Sequence, residues 1–150
     1  MMIFQTPDVV TAHWHPEVNA IRMEWITMLD SAALRAALDR GLRQADHQGI
    51  TGWIVDTGGG SMPMAEHDEY WLARDWTPRA ARSCLRAIAT VLPRSEVASL
   101  DGDPWRVDEA DGLLQARTAS LQAALAWLAT DPAPARADLT VREKARSSRG

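Results

Sequence analysis

The stretch from Gly49 to Trp76, GITGWIVDTGGGSMPMAEHDEYWLARDW, constrains this chain more than any other, because it changes character three times within 28 residues. An apolar run ends on Asp56, three consecutive glycines follow (Gly58 to Gly60), and then Trp71 and Trp76 mark a segment with helical spacing. A buried strand feeding a loop and then a helix reads this way. Trp53 to Val55 are too continuously apolar for a half-solvated edge, so they predict a central strand buried on both faces.

The rest of the chain supplies neighbours for that strand. Val9 to His15 begins with β-branched residues, and Ala20 to Ile26 alternates Ile21, Met23 and Trp25 with Arg22 and Glu24. With turn chemistry at Pro16, Glu17 and Asn19, the two predict a hairpin with one polar face. Asp30 or Ser31 caps a helix whose Leu34, Leu38, Leu42 and Ala45 recur at intervals of four and three, and Gly49 ends it. After the glycine loop, Met64 to Asp75 reads as helix. Thr77 and Pro78 then restart one, the hydroxyl capping and the proline in the first turn. Ala87 to Leu92 is a strand stopped by Pro93. A short helix at Ser95 to Leu100, a turn at Asp101 to Pro104, a strand at Leu113 to Arg117 and a helix over Ser120 to Ala129 complete the body. The expected fold is α/β, a mixed, mostly parallel sheet opened by a β-hairpin and covered by helices. Residues 1–130 make one domain; residues 131–150, with Pro132, Pro134 and scattered charges, read as a flexible tail in which Leu139 to Arg146 forms at most a transient helix.

Composition narrows the function classes. A chain of 150 residues buries roughly 68 to 70% of its unfolded surface, enough for a core without staples. The lone Cys84 makes no internal disulfide, no secretory leader is visible, and no apolar run reaches the ~20 residues of a membrane span, so a soluble cytoplasmic protein is expected. Residues 1–130 carry 11 Arg against 17 Asp and Glu, net −6, a balance that disfavours nucleic acid. Seven Trp stand beside one Phe and one Tyr.

The hairpin around AIRMEW, the helix ending in Gly49, WIVD, EYWLARDWTPRA and AIATVLP together resemble the SpoIIAA-like family of the STAS superfamily, from about Val9 to Ala129. That superfamily includes anti-sigma-factor antagonists and is near in structure to CRAL-TRIO lipid-transfer domains. The resemblance implies the element order above and no particular activity. The antagonists carry Asp-Ser-Ser-Gly after the central strand, with a phosphorylated second serine. Asp56, Thr57, Gly58 and Gly59 stand there in this chain, so the acceptor position has no hydroxyl, and Thr57 and Ser61 are the nearest possible phosphorylation sites.

Other chemistries leave weaker marks. The glycine loop matches neither GxGxxG nor GxxxxGK[ST], and its alternative is a plain strand-to-helix connection. His13 and His15 share a strand face but make only two ligands, and they read otherwise as half-exposed imidazoles on an edge strand. Cys84, read as helical, lies between Arg82 and Arg86, which would lower its pKa; as a small buried residue it would be inert. No cofactor or metal site is expected. Tyr70 and Trp71 are adjacent and Trp76 lies five beyond, so one narrow helical stripe does not bury all three, and Arg74 and Arg79 flank Trp76. The resulting expectation is a non-catalytic domain that binds a protein partner or a second copy of itself through Thr57, Ser61, Tyr70, Trp71, Arg74, Trp76 and Arg79. The alternative is a binder of a small apolar ligand or lipid in a pocket between helices and sheet, which needs roughly 300 Å³ or more. A third reading is a small enzyme using Asp56, His67 or Cys84.

Overall fold

Local signals place the longest helix, α1 (Ser31–Gln48). The Asp30 carboxylate accepts the Ala33 N–H, and Gly49 closes the helix in the left-handed conformation with its N–H on the Ala45 carbonyl. Its inner face is Leu34, Ala37, Leu38, Gly41, Leu42 and Ala45. Gly41 permits a close approach: a Cβ there would sit 2.5 Å from Trp53 Cη2. In the computed structural model, which describes residues 1–132, Met2–Thr6 (β1), Val10–His15 (β2), Ala20–Trp25 (β3), Gly52–Asp56 (β4), Ala87–Val91 (β5), Trp105–Ala110 (β6) and Leu113–Thr118 (β7) form one sheet in the order β1-β2-β3-β4-β5-β7-β6. The ladders β3/β4, β4/β5 and β5/β7 are parallel, and the outer ones are antiparallel. The fold is thus the expected mixed α/β sheet, parallel in its middle, with β4 at the centre.

Two strands were not foreseen. β1 pairs with β2, so β2, with its two histidines, is an inner strand and not an edge. β6 pairs with β7 through Asp111 and Gly112, both at positive φ, the two-residue turn whose twist matches a hairpin.

Helices cover both faces. α1 and a second helical unit lie over one, on a core that includes Ile21, Met23, Trp53, Trp76 and Ile88. That second unit is α2 (Glu66–Trp71), a π-helical turn over Leu72–Trp76, and α3 (Thr77–Ala81). It runs without the restart expected at Thr77, whose backbone is right-handed helical at φ −60° and whose hydroxyl caps nothing. Pro78 lacks an N–H and its ring crowds the carbonyl four residues back, and the widened turn immediately before it accommodates both. Arg94–Leu100 is a short 3₁₀ helix. On the opposite face α4 (Leu121–Ala129), capped by the Ser120 hydroxyl, packs on Ile54, Ala89 and Ala116. The expected tail lies outside the described residues from 133 onward, as does the transient helix at Leu139 to Arg146. No described helix is long and apolar enough to cross a membrane.

Candidate functional site

The loop that follows β4 is built by its own side chains. Asp56 ends the apolar run because its carboxylate is committed twice: Oδ2 accepts from Arg22 at 3.0 Å, and Oδ1 accepts the Gly58 N–H at 2.8 Å, a local turn bond. The Thr57 hydroxyl donates to the Gly60 carbonyl at 3.0 Å, and the Arg94 N–H reaches the Gly59 carbonyl at 2.9 Å. Gly58 and Gly59 have φ of 69° and 80°, so the glycines serve the turn. Asp56 lies inside the loop and Glu66, Asp68 and Glu69 in the first turn of α2, while Arg22 pairs with Asp56 and the Arg94 side chain lies beside Gly59, so charges of both signs surround the turn. The loop's far end is fixed where Met64 bridges Met28 in parallel register.

Of the residues expected to face a partner, Trp76 does not. It is 3% exposed, its ring meets Trp53 edge-on with centroids 5.1 Å apart, and its Nε1 donates to the Leu38 carbonyl at 3.1 Å. Trp71 is half-buried beneath the guanidinium groups of Arg35 and Arg79. Arg79 is held by Asp39 and Asp75, each at 2.8 Å. Tyr70 is 64% exposed with Arg74 over its ring, and Ser61 is exposed. The predicted surface therefore separates into a core Trp, a covered Trp and an exposed Tyr–Arg pair.

The three candidate chemical residues do not converge. Asp56 belongs to a polar chain on the α4 face, in which Arg22 also binds Glu24 at 3.1 Å and Glu24 approaches His13 Nε2 at 3.3 Å. His67 Nε2 lies 3.0 Å from Ser31 Oγ, a distance that suits a base and a nucleophile, but the serine proton is engaged elsewhere, since Oγ donates to Asp68 Oδ2 at 2.6 Å. His67 is then the donor to Oγ. Asp68 also accepts from Arg35 Nε at 3.0 Å, and the bond from Ser31 chiefly holds its carboxyl below the usual carboxylate range. This cluster ties α2 to the start of α1. Cys84 lies in the α3–β5 connection and not on a helix; burial, then Asp46, pushes its thiol pKa up despite Arg86. Among the described residues no three His, Cys, Asp or Glu side chains come together to hold a metal.

What the structure does assemble is a cavity of about 120 Å³ beneath the π turn, near the carboxyl ends of the parallel strands. Trp25, Trp53 and Trp76 wall it, with Leu34 and Leu38 of α1 and Leu72 of the π turn. Three polar side chains, Thr77, Thr90 and Gln115, also line it, and none of them has a side-chain hydrogen-bond partner among the described residues. Outside lies an open cleft of about 460 Å³, and Met64, Leu72, Thr77 and Gln115 wall both spaces. The inner cavity is below the size expected for a drug-sized ligand; only with the cleft is that size reached. The polar lining was not identified from sequence, although Gln115 breaks the apolar run of β7 and Thr77 stands before a proline. Compared with protein-family models, curated proteins and solved structures, the chain matches none.

Proposed function

We propose that this protein binds a small, largely apolar molecule non-covalently in the cavity beneath the π turn. The observation that carries the reading is an apolar, tryptophan-walled space whose lining also includes the polar, partly solvent-exposed Thr77, Thr90 and Gln115, the composition typical of ligand pockets. Its position near the carboxyl ends of parallel strands is where open α/β sheets place ligands. A π turn as one wall adds support, because such turns concentrate at functional sites. Titrating small aromatic compounds while following tryptophan fluorescence tests it, since three of the reporting rings wall the cavity. Saturable binding that is lost in Leu72→Trp, which fills the junction of cavity and cleft, is expected. Absence of saturable binding across the panel would sink the proposal.

A second reading rests on a different observation. Ile26, Leu29 and Tyr70 are 60%, 60% and 64% exposed, and Arg74 covers the Tyr70 ring. A protein partner or a second copy would meet the chain there, with Thr57 and Ser61 in the preceding loop as modification sites that tune the contact. Membership of the SpoIIAA-like family belongs to the same proposal, supported by the hairpin, helix and central-strand order. Loss of partner capture or of self-association in Tyr70→Ala with Arg74→Ala is the expected result; retention of both discards this surface.

A further inference from the structure

We infer that the ligand is a small aromatic amine: a single ring in the inner cavity and a short chain carrying a cationic head to the cleft. The inference rests on the ligand-binding reading above and adds the chemistry of the molecule. An engineered cavity of about 150 Å³ in another protein accommodates benzene, so the partly open 120 Å³ here has the scale of one six-membered ring. A fused or long-chain body is too large for it. The aromatic walls suit a ring, which meets indoles edge-on or offset.

The head group follows from the cleft. Glu69 and Asp111 line it, no Lys, Arg or His lines either space, and neither carboxylate forms an ion pair among the described residues. A carboxylate-bearing ligand would be repelled there, and a neutral one would gain a hydrogen bond without the charge attraction. An ammonium group gains from both. The excess of Asp and Glu over residues 1–130 acts in the same direction at longer range.

Three probes of nearly equal shape separate the possibilities: 2-phenylethylamine, 2-phenylethanol and 3-phenylpropionate, titrated at neutral pH by tryptophan fluorescence. The amine is expected to bind about three- to tenfold more tightly than the alcohol at low ionic strength, because exposed carboxylates contribute modestly, and the gap should narrow in high salt. The carboxylate should bind most weakly. The double variant Glu69→Gln with Asp111→Asn should bring the amine down to the alcohol, the alcohol's Kd shifting much less than the amine's; both positions are exposed, and Asn suits the positive φ of residue 111. Failure of all three probes to bind overturns the cavity reading itself. Binding of the alcohol with no preference for the amine, or a preference that survives in the double variant, overturns the amine inference and leaves the cavity reading standing.

Discussion

Gly41 offers the most direct test of how the helical layer is seated on the sheet. Elsewhere in an 18-residue helix such as α1, Gly→Ala would stabilise by about 1 kcal/mol, since glycine has the greater backbone entropy to lose. Here the new methyl would stand 2.5 Å from Cη2 and 3.1 Å from Cζ3 of Trp53, so roughly 1 Å of movement is needed to restore ordinary carbon–carbon contact. Trp53 is 1% exposed and lies edge-to-face with Trp76, which is itself tied to Leu38 of α1, so its ring is held on that side and yields only toward the cavity it walls. Overpacking of this kind costs about 1–3 kcal/mol, and set against the propensity gain it leaves a net loss of about 1 kcal/mol. For a body of this size that lowers Tm by about 3–4 °C. Urea unfolding followed by near-ultraviolet circular dichroism measures it. The decisive comparison is the Trp53→Phe background, in which the outer indole ring is gone and Gly41→Ala should become neutral or stabilising. A Gly41→Ala protein as stable as the parent in the unaltered background would refute the packing argument.

Three further outcomes are expected. Burial and Arg22 hold His13 below the ordinary histidine range against the opposing pull of Glu24; the unfolded chain therefore takes up the proton first, and stability should fall as pH drops below about 6.5 and on through the lower folded pKa. Urea midpoints measured across that window should show the decline, and His13→Gln should flatten it; an unchanged slope would assign the decline elsewhere. Asp56→Ala leaves the half-buried Arg22 with only Glu24 and should cost about 1–3 kcal/mol by chemical denaturation, whereas combining it with Arg22→Met should recover part of the loss. Pro78→Ala restores the missing N–H, so Tm should stay level or rise while fluorescence titration shows weaker ligand binding; a fall of several degrees would mean that the proline does not cause the π turn.

Much of the fold was written in local signals. Asp30, Gly49 and Ser120 cap the helices whose ends they mark, and the apolar run at Trp53 to Val55 does occupy the centre of the sheet. The two strands that sequence reading passed over differ in kind. β6 was legible: Trp105 and Val107 alternate with charged residues, and Asp111-Gly112 is the dipeptide of a tight hairpin. It was hidden only by the turn residues just before it. β1 carries little pattern of its own, since MIFQT has no clean alternation, and its pairing with β2 follows from the left-handed turn at Asp8. Side-chain commitments such as Ser31 with Asp68, or Arg22 with Asp56, join residues more than 30 apart and have no trace in local sequence.

The position of Trp76 shows why the site itself was misread. At 100° per residue, five positions of an α-helix turn the side chain by about 140° beyond a full circle, and on that geometry Trp71 and Trp76 cannot share a buried face. The π turn changes the count. The Thr77 N–H bonds the Leu72 carbonyl, five residues back, so one turn consumes more residues and position 76 swings back toward the core. Trp76, which seemed to be left over for a surface, is thereby returned to the interior, while Tyr70 stays exposed. The same widening puts Leu72, Trp76 and Thr77 together on the cavity wall, where a regular α-helix through Pro78 would have lost a hydrogen bond and crowded a carbonyl. One proline two residues after a tryptophan therefore bears on both the burial of Trp76 and the observed cavity, and the period of the helix had to be known before either could be deduced.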